Sequence, residues 1–119
     1  MELLEIPKSL QREVMTKYKE VLHAKQKFTM EDNFILILDN SIAVGLFSYM
    51  LNYDTAYNIH VVSLDSSKFG KAFIKFCSFM KETYDRVEIQ CTDPATIRIC
   101  EKKYRKEGDT YIWQRKYYQ

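Results

Sequence analysis

The chain is poor in residues that divide a protein into parts. Its 119 residues include three glycines and two prolines, and no repeat, low-complexity tract or linker separates one segment from another. A single domain, residues 1–119, is the expectation. Cysteine is nearly as scarce. Cys77, Cys91 and Cys100 stand at wide, irregular spacing, which gives neither a metal-ligand pattern nor an even disulfide framework. They read as reduced thiols. No apolar run approaches the roughly twenty residues of a membrane span, and no charged-then-apolar leader opens the chain. A soluble, cytoplasmic protein with no membrane partner is therefore expected. Net charge is small as well: 18 Lys and Arg against 16 Asp and Glu leave +2. That balance does not by itself point to nucleic acid.

Apolar residues are plentiful, at 46%, with 14% aromatic, enough to fill a two-layer core. Leu10, Val14, Tyr18, Val21 and Leu22 recur at helical spacing, and the pattern predicts a helix from Pro7 to His23. "NFILILDN" and "SIAVGLFSYML" read as a β-hairpin closed at Asp39-Asn40. "AYNIHVVSL", Ala56 to Leu64, follows as a third strand antiparallel to the second. The period then changes. Phe69, Ala72, Phe73, Phe76, Phe79 and Met80 mark a helix from Lys68 to Tyr84. "RVEIQC" alternates as a strand, and "DPATIRICEKKY" is a helix with Asp93 at its N-cap and Pro94 at its first position. "TYIWQRKYY" closes the chain as a strand after a break at Gly108-Asp109. The fold class is α/β or α+β, a central, mostly antiparallel sheet with helices packed on it.

The stretch "SLDSSKFGKAF" sits between the third strand and the second helix. A helix start leaves backbone N–H groups unpaired and carries partial positive charge, so it suits an anionic phosphate. The plain reading is that Asp65, Ser66 or Ser67 caps the helix and Gly70 is incidental. The order of elements, together with Ser67-Lys68-Phe69-Gly70-Lys71-Ala72, resembles the GNAT superfamily of acyl-CoA-dependent N-acetyltransferases. Its cofactor loop reads Gln/Arg-x-x-Gly-x-Gly/Ala at a helix start. Gly70 and Ala72 match the small positions, and Ser67 departs from Gln or Arg. The resemblance covers about Phe34 to Tyr117. It continues in Asp93 at an asparagine position and in Ile99-Cys100-Glu101-Lys102, where the family has Leu-Tyr-Glu-Lys. Cys100 thus replaces the tyrosine that often protonates the departing thiolate.

The resemblance implies acetyl-CoA as cofactor, held by Val62, Leu64, Ser67, Lys68, Phe69, Gly70, Lys71 and Ala72, with an amine as acceptor. It also implies a shortened N-terminus, where "ELLEI" alone could supply a first strand. The short N-terminus and the aromatic-basic tail are most similar to small acetyltransferase-like proteins of phages. Some of those are carried in virions, and many have lost their catalytic residues.

Four residues are candidates for proton transfer. His60 and Glu88 lie on predicted strands near the sheet centre, and an imidazole suits work at neutral pH. Cys100 and, one turn further on, Tyr104 are the candidate acids. Each has a plain structural reading too: a strand histidine, a polar-face glutamate, a small core cysteine. Three function classes follow. One is an acetyltransferase; the second is a non-catalytic GNAT-like protein that binds a protein partner; the third is a nucleic-acid binder. The last rests on Tyr104, Tyr111, Trp113, Tyr117 and Tyr118 interleaved with Lys and Arg, a pattern that a half-buried terminal strand also gives.

Overall fold

A computed structural model describes residues 1–20, 33–91 and 93–115. The fold is mixed α+β. Strands β1 (Glu2–Ile6), β2 (Asn33–Asp39), β3 (Ile42–Asn52), β4 (Thr55–Ser63), β5 (Arg86–Ile89), β6 (Arg105–Glu107) and β7 (Thr110–Gln114) form one sheet in the order β1-β2-β3-β4-β5-β7-β6. Every neighbouring pair is antiparallel except β4 and β5. Among the described residues the helices are α1 (Gln11–Lys17), α2 (Phe69–Thr83) and α3 (Pro94–Lys103), with a 3-10 turn at Lys8–Leu10. None is long and apolar enough to cross a membrane.

The turns explain the register. β2 and β3 are joined through Asn40 and Ser41, both at positive φ (51° and 67°), the geometry of a two-residue turn whose twist matches its strands. Gly108, at φ 60°, begins the two-residue turn between β6 and β7. A third irregularity matters more. Along β3 and β4 the pairing passes from Ser48↔His60 to Met50↔Tyr57. One extra residue of β4 is accommodated at Asn58, which sits at φ 51°. This bulge reverses the alternation of side chains. Ala56 before it and Ile59 and Val61 after it face the α2 side, whereas Val62 and Leu64 face α1.

The main core lies between the sheet and helices α2 and α3. Phe47 stacks on Phe76 at 4.4 Å between ring centroids, and Phe69 and Phe73 continue the stack along α2. The smaller layer on the opposite face packs Val14, Met15 and Tyr18 over Leu46 and Val62. Both ends of the helical layer are tied. Arg115 donates to the carbonyls of Lys81, Glu82 and Tyr84 at the C-terminus of α2 and pairs with Asp85 at 3.5 Å. Asp93 caps α3 by accepting the Thr96 N–H and hydroxyl, each at 2.9 Å.

Several boundaries differ from the sequence-based expectation. "ELLEI" does form a strand, pairing antiparallel with β2 from Glu2↔Leu38 to Ile6↔Phe34. The first helix begins later than Pro7, after the 3-10 turn, and Val21 to His23 lie outside the described residues. Lys68 is the N-cap of α2, with no side-chain cap; Asp65, Ser66 and Ser67 precede it. The C-terminal strand is a hairpin, because Arg105–Glu107 adds β6 on the outer edge of β7. Tyr104 and Tyr111 are buried and Trp113 is half-buried against the core; Tyr117 and Tyr118 lie outside the described residues.

Candidate functional site

β4 and β5 pair only at Thr55↔Arg86 and Ala56↔Val87. Beyond that point the strands separate, and a cleft of about 890 Å³ opens between them. β4 supplies His60, Val61 and Ser63 to one wall. Gln90 and Cys91, after β5, and Asp93 and Thr96, at the start of α3, supply the other. Ser66 and Phe69 stand where α2 begins.

The separation leaves backbone groups facing the gap. Leu64 N–H donates to Val44 O at 3.1 Å, so that residue points toward β3. With a strand period of two, Val62 points the same way, and the N–H groups of Val61 and Ser63 face the cleft. Of the expected cofactor residues on β4, Val62 is buried on the α1 side, and Leu64 packs against that same cluster while also bordering the cleft.

The turn into α2 is held by its own polar groups. Asp65 Oδ1 accepts the Ser67 N–H at 3.0 Å and its hydroxyl at 2.7 Å, and Lys68 N–H donates to Asp65 O. These bonds hold the Asp65 carboxyl below its usual range, the Ser67 hydroxyl contributing most. Lys68 Nζ lies 2.8 Å from Asp39 Oδ2 at the end of β2. That bond lowers the pKa of Asp39 and raises that of Lys68. Ser67 and Lys68 thus both have partners within the chain. The helix start itself is less committed. Ala72 N–H bonds Lys68 O, so the N–H groups of Phe69, Gly70 and Lys71 come before the first intrahelical bond. A Cβ placed on Gly70 would meet nothing within 4 Å.

The four proton-transfer candidates separate. His60 lies on the cleft wall. Glu88 does not line the cleft, and its Oε2 takes the Arg86 Nε–H at 2.7 Å. Cys100 is fully buried on α3, and Tyr104 is 7% exposed beside Cys77. Burial raises the pKa of Tyr104; for Cys100 the neighbouring Cys91 thiol and then burial do the same.

Cys91 escaped the sequence reading. It lines the cleft, half-buried, and its Sγ lies 3.5 Å from Cys100 Sγ. The signal was there: Val87, Ile89 and Cys91 fall on one face of an alternating strand, and Thr96 and Cys100 are four apart on one helix face. Asn58 and Thr96 were also missed. Among the described residues no three His, Cys, Asp or Glu side chains form a group that could hold a metal ion.

No family model matches the chain, and no curated protein matches it. Among solved structures it is similar to the crystal structure of a provisionally assigned acetyltransferase from Exiguobacterium sp. 255-15. The match covers 95% of this chain and 92% of that one, with a TM-score of 0.49 and 13% identity.

Proposed function

We propose that the protein takes acetyl-CoA into the cleft between β4 and β5 and transfers the acetyl group to an amine. The observation that carries this reading is the separation of two parallel strands beside a helix start whose own side chains do not cap it. The residues present suit the group in part. Phe69, Gly70 and Lys71 offer backbone N–H groups to a pyrophosphate, and the open space at Gly70 lets it approach. Ser67 and Lys68 contribute less, since Asp65 and Asp39 occupy them.

Bound acetyl-CoA supplies an activated acyl carbonyl on a good leaving group. The chain's own part is electrostatic and positional. The Val61 and Ser63 N–H groups face the gap, where they stabilise negative charge developing on a carbonyl oxygen. His60 is the cleft-wall side chain suited to taking the amine's proton. The Phe69 side chain and the β4 wall exclude water from one side.

A second reading is a non-catalytic GNAT-like protein, of phage, virion or inhibitory type, that binds a protein partner. The burial of Cys100 and Tyr104, neither of which lines the cleft, and the Arg86 hold on Glu88, favour it. One assay separates the two. Release of free coenzyme A thiol is measured over a panel of amines, for the natural protein and for His60→Ala. The enzyme reading expects turnover that falls by about 10²–10⁴ in the variant. Coenzyme binding without turnover on any amine selects the second reading.

A further inference from the structure

We propose that Cys91 and Cys100 form a redox-reactive dithiol: Cys91 is the nucleophile that a hydroperoxide oxidises, and Cys100 resolves it as an intramolecular disulfide. The proposal is independent of the acyl-CoA reading. It rests on the placement of three thiols, Cys77 on α2, Cys91 just after β5 and Cys100 on α3. Cys91 lines the cleft and is reachable from solvent. Cys100 stands directly behind it, fully buried, with its Sγ 3.5 Å away. Cys77 lies further inside, 1% exposed. Contact with solvent is thus confined to one sulfur, and the nearest sulfur to it is already in position. The 3.5 Å between the two sulfurs has to close to about 2 Å for the bond to form.

The electrostatics agree with that order of events. The hydrogen bond with Cys100 holds the Cys91 thiol below its ordinary range, although burial and then Asp93 oppose this. Burial pushes Cys77 up to about 11, so it contributes little thiolate.

The chemistry balances with a peroxide as the only co-reactant. The Cys91 thiolate attacks one peroxide oxygen, an S–O bond forms, the O–O bond breaks, and the second oxygen leaves as hydroxide and is protonated to water. Cys100 sulfur then attacks Cys91 sulfur. The S–S bond forms, the S–O bond breaks, and the Cys100 proton departs with that hydroxide as a second water. Two thiols are oxidised and one peroxide is reduced. Closing the bridge turns the Cys91 side chain out of the cleft wall and pins α3 to the end of β5.

The test uses the full chain, reduced and freed of reductant, then treated with hydrogen peroxide and read by intact mass and peptide mapping. The expected product has lost the two thiol hydrogens, carries a Cys91–Cys100 bridge and keeps Cys77 as a free thiol. Cys100→Ser should stop at the Cys91 sulfenic acid, captured by a 1,3-dione probe, and Cys91→Ser should form neither product. The natural chain gives its answer even if a variant fails to fold. Three outcomes overturn the proposal: thiols that all survive peroxide, a bridge involving Cys77, or links only between molecules.

Discussion

The same substitution, Gly→Ala, should have opposite effects at Gly45 and Gly70. At Gly70, inside the first turn of α2, a Cβ meets nothing within 4 Å, and only Gly108 among the glycines needs a positive φ. Alanine there removes the entropic cost of a helical glycine and should stabilise the fold by about 0.5–1 kcal/mol. At Gly45, on β3, a Cβ would stand 2.9 Å from Phe47 Cε2 and 3.1 Å from its Cζ. Phe47 cannot swing aside, because it is fully buried and stacked on Phe76. Overpacking of this kind costs about 1–3 kcal/mol. The two variants should therefore differ by about 1.5–4 kcal/mol, read as urea midpoints at unchanged slope. A Gly45→Ala protein as stable as the natural one would refute the packing account. A Gly70→Ala protein that loses stability would show that the glycine serves the chain's own backbone. If Gly70 instead admits a phosphate, the stabilised variant should bind coenzyme A more weakly, separating a binding role from a folding one.

Other perturbations have equally definite outcomes. Phe76→Ala should cost about 3–5 kcal/mol in chemical denaturation, since it removes the ring at the centre of the aromatic stack. Asp93→Ala leaves the Thr96 N–H without its cap and should cost about 1 kcal/mol; Asp93→Asn should retain most of that. Arg115→Ala should cost about 1 kcal/mol by releasing the C-terminal carbonyls of α2, with the added amide exchange confined to that end of the helix. The turn before α2 should respond to acid. Asp39 and Asp65 both have folded pKa values below the unfolded one. Their stabilising contribution is therefore complete above the ordinary carboxylate value and is lost as pH falls through the folded values, below about pH 4. Carboxyl-carbon NMR titration should place both midpoints low, and Lys68→Met should move Asp39 back up while leaving Asp65 less affected.

Much of the fold is legible in the sequence because period and turn chemistry agree. Asp39-Asn40 marks the β2–β3 hairpin, the phenylalanine spacing marks α2, and Asp93-Pro94 marks the start of α3. β6 is hidden because Arg-Lys-Glu on an exposed edge has no buried face to impose alternation. The bulge at Asn58 is hidden for a different reason. One extra residue leaves no trace in composition, although asparagine tolerates the positive φ it requires. That bulge decides the site: it sends Val62 to the α1 side. The cap of α2 is also illegible, because Asp65 and Ser67 satisfy each other and the helix starts one residue later. His60 is a candidate from its place on a strand near the sheet centre and Phe69 from the family resemblance, and both line the cleft. Glu88 rests on the same strand argument as His60 but is held by Arg86, and Cys100 and Tyr104, candidates for their place in the family's last helix, are buried and do not line the cleft. Cys91 was passed over because wide cysteine spacing in sequence says nothing of distance across a strand–helix junction.

Calorimetric titration of the reduced full chain with acetyl-CoA tests the central proposal most directly, paired with thermal unfolding in coenzyme A. Saturable binding is predicted, weakened by Gly70→Glu. Ligand at 100 times its Kd should add about 2.7 kcal/mol of stability and raise the unfolding temperature by several degrees. No heat and no thermal shift at millimolar coenzyme would contradict the proposal that the cleft between β4 and β5 is an acyl-CoA site.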